Sequence, residues 1–210
     1  FFRDTVNAAN PNKHAGMIYA SNLCHEIAQN VGFTNLAEEI INEDGTITTK
    51  TNTGDMVTCN LNSISLGRIT DEELEENIAL QIRMLDNVIS INQAPVPESR
   101  MTSDKYRAIG LGTSGYHHYL VNHDIQWESD EHIEVADKLF ENIAFYAIKA
   151  SMELAKEKGA YPAFKGSEWE TGEYFTRRGY TSDRWKQLAA DVAKYGIRNG
   201  YLMAVAPTGS

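Results

Sequence analysis

Residues 16–27 read Gly-Met-Ile-Tyr-Ala-Ser-Asn-Leu-Cys-His-Glu-Ile. The apolar run from Gly16 to Ser21, bounded by turn and polar residues, predicts a short strand. The residues that follow it, Ser21-Asn22-Leu23-Cys24-His25-Glu26-Ile27, set an amide, a thiol and a carboxylate at alternate positions. The arrangement recurs twice. Met56–Leu61 carries Cys59 and Asn60 near its end, and Tyr201–Ala206 runs into Pro207-Thr208-Gly209-Ser210. Short apolar strands that end in reactive residues, with long helices between them, predict an α/β barrel or sheet whose strand ends carry the chemistry.

The helices are legible from their periodicity. Thr70-Asp71-Glu72-Glu73 has the form of a capping box, and Leu74, Ile78, Ile82, Leu85 and Ile89 follow at the three-to-four spacing of one buried face. A helix over about 71–91 is predicted. A second is predicted from Ser129 or Asp130 to Gly159, turning Ile133, Leu139, Phe140, Ile143, Ala147, Ala150 and Leu154 inward. A third runs from about Ser182 to Tyr195, with Trp185, Leu188 and Val192 on one side and Gly196 as its stop. No repeat, low-complexity tract or Gly/Ser linker marks an internal boundary.

Composition removes several classes of function. With 210 residues, 42% hydrophobic and 23% charged, and a mean hydropathy of -0.41, no apolar run nears the ~20 residues of a membrane span. A net charge of -10 without a Lys/Arg cluster argues against a nucleic-acid polymer as partner. Two cysteines, 35 positions apart and without CxxC spacing, make neither a zinc site nor a disulfide scaffold, so a reducing cytoplasm is expected. No metal ligation is expected either, since the His117-His118 pair lacks the spacing of a zincin. The abrupt ends, Phe1-Phe2 and Gly209-Ser210, are read as those of a fragment.

In an extended segment Asn22, Cys24 and Glu26 share one face, with Leu23 on the other. A thiol beside a carboxylate is held protonated, because the negative charge opposes the thiolate. Two readings of Cys24 follow: a small packed hydrophobe, or a neutral S–H used in homolytic chemistry beside a carboxylate free to take a proton elsewhere. Cys59 stands equally between a packed side chain and a functional one. Pro207-Thr208-Gly209-Ser210 is either a plain turn or an oxyanion-holding loop of hydroxyls and backbone N–H groups. Gly110-Leu111-Gly112-Thr113-Ser114-Gly115 satisfies GxGxxG, but lacks the acidic residue at a second strand end that dinucleotide binding requires. Close packing of glycine backbone is expected there instead.

The stretches NPNKHAGMIYASNLCHEI, TCNLNSISLGRI, RMLDNVISIN, YRAIGLGTSGYHH and NGYLMAVAPTGS, in this order along the chain, resemble the large, catalytic subunit of class I ribonucleotide reductase. The resemblance implies the central part, residues 1–210, of a ten-stranded α/β barrel truncated at both ends, with Cys24 on an inner loop. It implies that Cys24 becomes a transient thiyl radical that removes the 3′ hydrogen of a ribonucleoside diphosphate. Glu26 would take the 3′ hydroxyl proton and Asn22 would hold the sugar. Cys59 would be one of two cysteines that reduce the intermediate, and Ser21, Leu23 and the Pro207-Thr208-Gly209-Ser210 loop would complete the substrate contacts.

The same resemblance implies a radical-generating, metal-containing beta subunit, a thioredoxin- or glutaredoxin-type reductant, an alpha homodimer, and ATP and dATP effector sites outside these residues. No cofactor is expected in this chain, and the chain alone is expected to be inert, because the second redox cysteine and the radical relay have no counterpart in it. Two alternatives carry the same motifs: an adenosylcobalamin-dependent (class II) reductase, and a non-catalytic nucleotide-binding scaffold completed by a separate chain.

Overall fold

The computed structural model describes residues 2–208. Its elements are α1 (Arg3–Ala9), β1 (Asn35–Ile41), β2 (Ile47–Asn52), β3 (Leu61–Ser65), α2 (Leu74–Ile91), α3 (Pro97–Tyr106), β4 (Gly110–Ser114), α4 (Tyr116–Asn122), α5 (Asp130–Lys158), α6 (Glu168–Thr171), α7 (Glu173–Arg177) and α8 (Asp183–Tyr195). The fold is α/β. β3 and β4 pair in parallel, Leu61 opposite Gly110 through Ser65 opposite Ser114. On the other edge of β4, the amides of Ile109 and Leu111 donate to the carbonyls of Tyr201 and Leu202, and Ala204 donates back to Leu111. The strand expected at 201–206 is thus reduced to residues 201–204 lying along β4, with one isolated parallel bridge at Met203 and no regular strand.

The other two strand expectations are corrected. The strand expected at Met56–Leu61 starts only at Leu61, because residues 56–60 lie along α3, where the Met56 amide donates to Thr102 Oγ1 at 2.8 Å. Gly16–Ser21 alternates exposed Met17 and Tyr19 with buried Ile18, but belongs to no ladder among the described residues. Alternation reports a half-buried extended chain and not the neighbour that would pair with it. The hairpin β1–β2, Ile41 opposite Ile47 around an Asp44-Gly45 turn, is antiparallel and exposed along its whole length.

GxGxxG lies inside the sheet. A Cβ on Gly110 would come within 2.3 Å of Leu61 Cδ2, and one on Gly112 within 2.6 Å of the Ala204 carbonyl. The first two glycines thus let three backbones approach one another, as expected, and do not frame a pyrophosphate turn.

The core forms where α2 and α5 cover this sheet. All five apolar residues assigned to the face of α2 are buried, each burial contributing roughly 1.5–3 kcal/mol. The helix expected from about 71 begins at Leu74 with Glu73 at its N-cap, and the Thr70 amide donates to Glu73 Oε2 at 3.1 Å in the turn that precedes it, so Thr70 does not cap α2. Helix α5 starts at Ser129, whose hydroxyl accepts the His132 amide, and stops at Gly159. Ile133 and Phe140 are corrections: they are 66% and 36% exposed, lying off the face that α2 covers. In α8, Trp185, Leu188 and Val192 are buried as expected.

A buried ion cluster joins these layers. Asp86 of α2 is fully buried and accepts from Arg107 Nε at 2.7 Å, Arg198 Nε at 3.2 Å and Lys158 Nζ at 3.3 Å. Burial alone pushes its carboxyl up, but the hydrogen bond and charge of Arg107, then Arg198 and Lys158, outweigh this and hold it below the usual value. Arg107 reaches the site from left-handed backbone (φ 44) at the end of α3.

Because the folded-state pKa is depressed, the ionised Asp86 contributes stability fully present above the unfolded carboxylate value of ~3.9 and lost as pH falls through the folded value. Asp86→Asn should cost about 3–5 kcal/mol at neutral pH by leaving buried cations uncompensated. Urea unfolding should show the gap between wild type and variant narrowing on acidification; a gap that stays constant or widens contradicts the assignment.

Candidate functional site

The reactive residues converge through a turn. Residues 23–25 are not extended: the His25 amide donates to the Asn22 carbonyl at 3.2 Å, and His25 takes a left-handed φ of 65. That conformation costs a non-glycine residue ~1 kcal/mol or more. The expectation that Asn22, Cys24 and Glu26 share a strand face is therefore corrected. A turn brings positions i and i+4 together, and the Asn22 side chain organises it. Asn22 Oδ1 accepts the Ile27 amide at 3.1 Å and Nδ2 donates to Glu26 Oε1 at 2.7 Å. Ser21 Oγ donates to the Ile27 carbonyl at 2.6 Å, closing the neck of the loop. Leu23 and Cys24 occupy the exposed tip.

Cys59 meets this loop from the start of the sheet. Asn22 Nδ2 also lies 3.7 Å from Cys59 Sγ, and both residues line a cavity of about 180 Å³ with Ser21, Ile27, Gln29 and Val57. Glu26 Oε2 is buried and has no hydrogen-bond partner, so one carboxylate oxygen is bound to Asn22 and the other is an enclosed, unpaired acceptor. Cys24 and Cys59 are both free thiols. Burial, then the charges of Glu26 and Cys24, push the Cys59 thiol up, against a smaller opposing effect of the Asn22 hydrogen bond. Cys59 is accordingly a neutral S–H at pH 7.

The arrangement can hold a polar ligand at Asn22, accept a proton at Glu26 and supply hydrogen or electrons from two thiols. Of the last loop, Pro207 and Thr208 are exposed beyond the strand, whereas Gly209 and Ser210 lie outside the described residues. Among the described residues no group of three His, Cys, Asp or Glu side chains is placed to hold a metal ion, and no helix is long and apolar enough to cross a membrane. Sequence reasoning missed Gln29, which is buried and lines the cavity; a polar residue between Ala28 and Asn30 carries no pattern that separates it from a surface turn.

Comparison with known proteins bears directly on this geometry. The model of the ribonucleotide reductase barrel domain matches residues 1–210. The chain belongs to that family. It is 53% identical, over its whole length, to the ribonucleoside-diphosphate reductase subunit alpha of Treponema pallidum (strain Nichols), of which it covers 26%. It is 37% identical to the subunit alpha of Helicobacter pylori (strain J99), covering 33%, and 35% identical to that of Synechocystis sp., covering 25%. The chain thus spans about a quarter to a third of these curated relatives.

The coupling of Glu26 to Cys59 is directly measurable. Glu26→Gln keeps the acceptor for Asn22 and removes the negative charge, so the Cys59 pKa should fall. The pH profile of Cys59 alkylation by iodoacetamide, followed by peptide mass spectrometry, should shift toward lower pH; an unmoved profile or a shift upward contradicts the electrostatic account.

Proposed function

We propose that this chain is the central part of the catalytic barrel of a ribonucleoside-diphosphate reductase alpha subunit, with the loop at Cys24 as its radical site. The single observation that carries the reading is that Asn22 and Cys59 line one cavity, with Asn22 bonded to Glu26 behind it, at the base of a loop whose tip is a free thiol. The names of the relatives favour a diphosphate reductase of the two-subunit kind over an adenosylcobalamin enzyme. In the longer protein β3, β4 and the segment from Tyr201 belong to a ten-stranded barrel.

The chemistry follows from the residues. Cys24 gives its S–H hydrogen atom to a radical source held by a metal-containing beta subunit, and the resulting thiyl removes the 3′ hydrogen of the bound ribonucleoside diphosphate. Homolysis requires a protonated thiol at the start, and an exposed loop tip gives both the radical source and the sugar access to the sulfur. Glu26 accepts the 3′ hydroxyl proton as the 2′ hydroxyl leaves as water; its unpartnered Oε2 is the oxygen free to do so. Asn22, bonded to Glu26, orients the sugar, with Ser21 and Leu23 beside it.

Cys59 and a second cysteine of the longer protein supply two electrons and two protons and end as a disulfide: one proton leaves with the 2′ hydroxyl as water and one hydrogen forms the new C2′–H bond, while Glu26 returns its proton to the 3′ oxygen and Cys24 returns the hydrogen to C3′. Pro207, Thr208, Gly209 and Ser210 hold the diphosphate with hydroxyls and backbone N–H groups. A dithiol reductant of the thioredoxin or glutaredoxin kind resets the disulfide. An alpha homodimer, effector sites for ATP and dATP elsewhere in the longer protein, and a cytoplasmic location complete the proposal.

Three substitutions in the longer enzyme separate the roles. Cys24→Ser keeps size and a donor but strengthens the X–H bond, so turnover should vanish while equilibrium binding of the diphosphate persists. Glu26→Gln should slow turnover by about 10²–10⁴, the usual contribution of a positioned acid or base. Cys59→Ser should allow abstraction but not reduction, with free base released instead of deoxynucleotide. Near-normal deoxynucleotide formation by Cys24→Ser contradicts the proposal.

A further inference from the structure

The Cys24 loop and the segment leading to Thr208 come from opposite ends of the chain, and a buried polar cluster joins their bases. Asn10, Asn12 and Asn30 flank the loop on both sides and are at most 2% exposed. Asn10 Nδ2 donates to Asn30 Oδ1 at 2.7 Å, Asn30 Nδ2 donates to the Asn12 carbonyl at 2.8 Å, and the Asn12 amide donates to Asn10 Oδ1 at 3.0 Å. This closed ring of amides fixes where the loop leaves the body and where it returns.

The far end of the chain is bonded into the ring. The Tyr201 hydroxyl donates to Asn10 Oδ1 and accepts the Asn30 amide, both at 3.2 Å. Asn12 Nδ2 donates to the Gly200 carbonyl at 2.9 Å. Tyr201 opens the segment that docks on β4 and continues to Pro207 and Thr208. The Tyr106 ring packs edge-on against Tyr201 at 5.8 Å, and its hydroxyl lies 3.3 Å from Asn30 Nδ2. A buried amide left without a partner costs about 1–3 kcal/mol, so these bonds are made or broken together.

We propose that the Tyr201 hydroxyl, with Asn10, Asn12 and Asn30, is a positioning device that sets the Cys24 loop against the segment ending in Pro207-Thr208, so that thiol and diphosphate keep one relative placement. The proposal rests on the reading of those two segments given under Proposed function. None of the four residues contacts the reacting atoms; they act through the segments they join. Hydrogen transfer needs reacting atoms about 3–3.5 Å apart, and a misplacement of ~1 Å costs on the order of 10²-fold in rate. A single phenol at the junction is therefore enough to control the chemical step.

Tyr201→Phe tests this with two readouts. In the 210-residue chain, hydrogen exchange of the Ile27 amide, which is bonded only within the loop to Asn22 Oδ1, should accelerate about tenfold, the scale of one lost hydrogen bond. Amides in the middle of α5 should not change. In the longer enzyme, kcat should fall about 10–10²-fold, with KM little altered and more free base released per deoxynucleotide. A merely structural role lowers the amount of active enzyme without changing that ratio. Asn10→Ser, which removes the acceptor for the Tyr201 hydroxyl, should reproduce both effects.

If both variants leave Ile27 exchange at the wild-type rate, the coupling is wrong. If exchange rises while kcat and the base-to-product ratio stay put, the positioning role is wrong. If the unsubstituted longer enzyme makes no deoxynucleotide at all, the functional reading fails and the exchange data alone decide the coupling.

Discussion

One buried carboxylate determines how the layers of this protein meet. Asp86 has no contact with solvent, and its cationic partners come from the end of α3, the end of α5 and the segment after α8. Asn199 adds a further bond to Asp86 and a second to the Arg107 carbonyl, while its own amide donates to Ser151 Oγ. Each cation terminates a helix or enters a strand, so a single charge fixes the points at which the chain reverses direction. The net excess of positive charge makes the cluster intolerant of losing the carboxylate, and this is why a polar centre is compatible with a defined fold.

From that centre the functional geometry follows. Arg198 and Asn199 fix the residues immediately before Tyr201, and Arg107 fixes those before β4. β4 then pairs with β3 on one edge and with the segment from Tyr201 on the other, and the glycines of β4 keep the pairing close. Cys59 stands just before β3, in the extended residues that lie along α3. Cys24 is placed by a turn instead. On the proposed reading the loop-borne cysteine transfers hydrogen and the other reduces, since the first must meet both a radical donor and a sugar.

Much of this was legible in the sequence where a signal repeats. Helices α2, α5 and α8 were written in their apolar spacing and stop residues, because a helix buries one face every turn. Their errors, Ile133 and Phe140, lie off the face of α5 that α2 covers. Strands were harder. The three apolar runs marked extended segments, yet Met56–Leu61 enters β3 only at its last residue, Gly16–Ser21 joins no ladder among the described residues and Tyr201–Ala206 makes a single bridge, since five-residue strands have too few periods to set a boundary. The β1–β2 hairpin, with an Asp-Gly turn at its tip, was missed although its turn residues were visible. At the site, residue identity singled out Asn22, Cys24, Glu26 and Cys59 as candidates, but local spacing misjudged how they meet: a turn around the Asn22 amide, not strand alternation, joins Asn22 to Glu26. The Asn10, Asn12, Asn30 and Tyr201 cluster carried no periodic signal, because its members converge from separate parts of the chain.

The central claim is geometric: the Cys24 sulfur faces the ribose of a bound diphosphate whose proton acceptor is Glu26. A crystal structure of the longer enzyme with a ribonucleoside diphosphate bound tests this most directly. The account predicts the Cys24 Sγ about 3.5 Å from C3′, on the face bearing its hydrogen, with Glu26 Oε2 within hydrogen-bonding reach of the 3′ hydroxyl. A sugar held away from the 22–27 loop, or a Cys24 side chain directed out of the cavity with substrate in place, contradicts it.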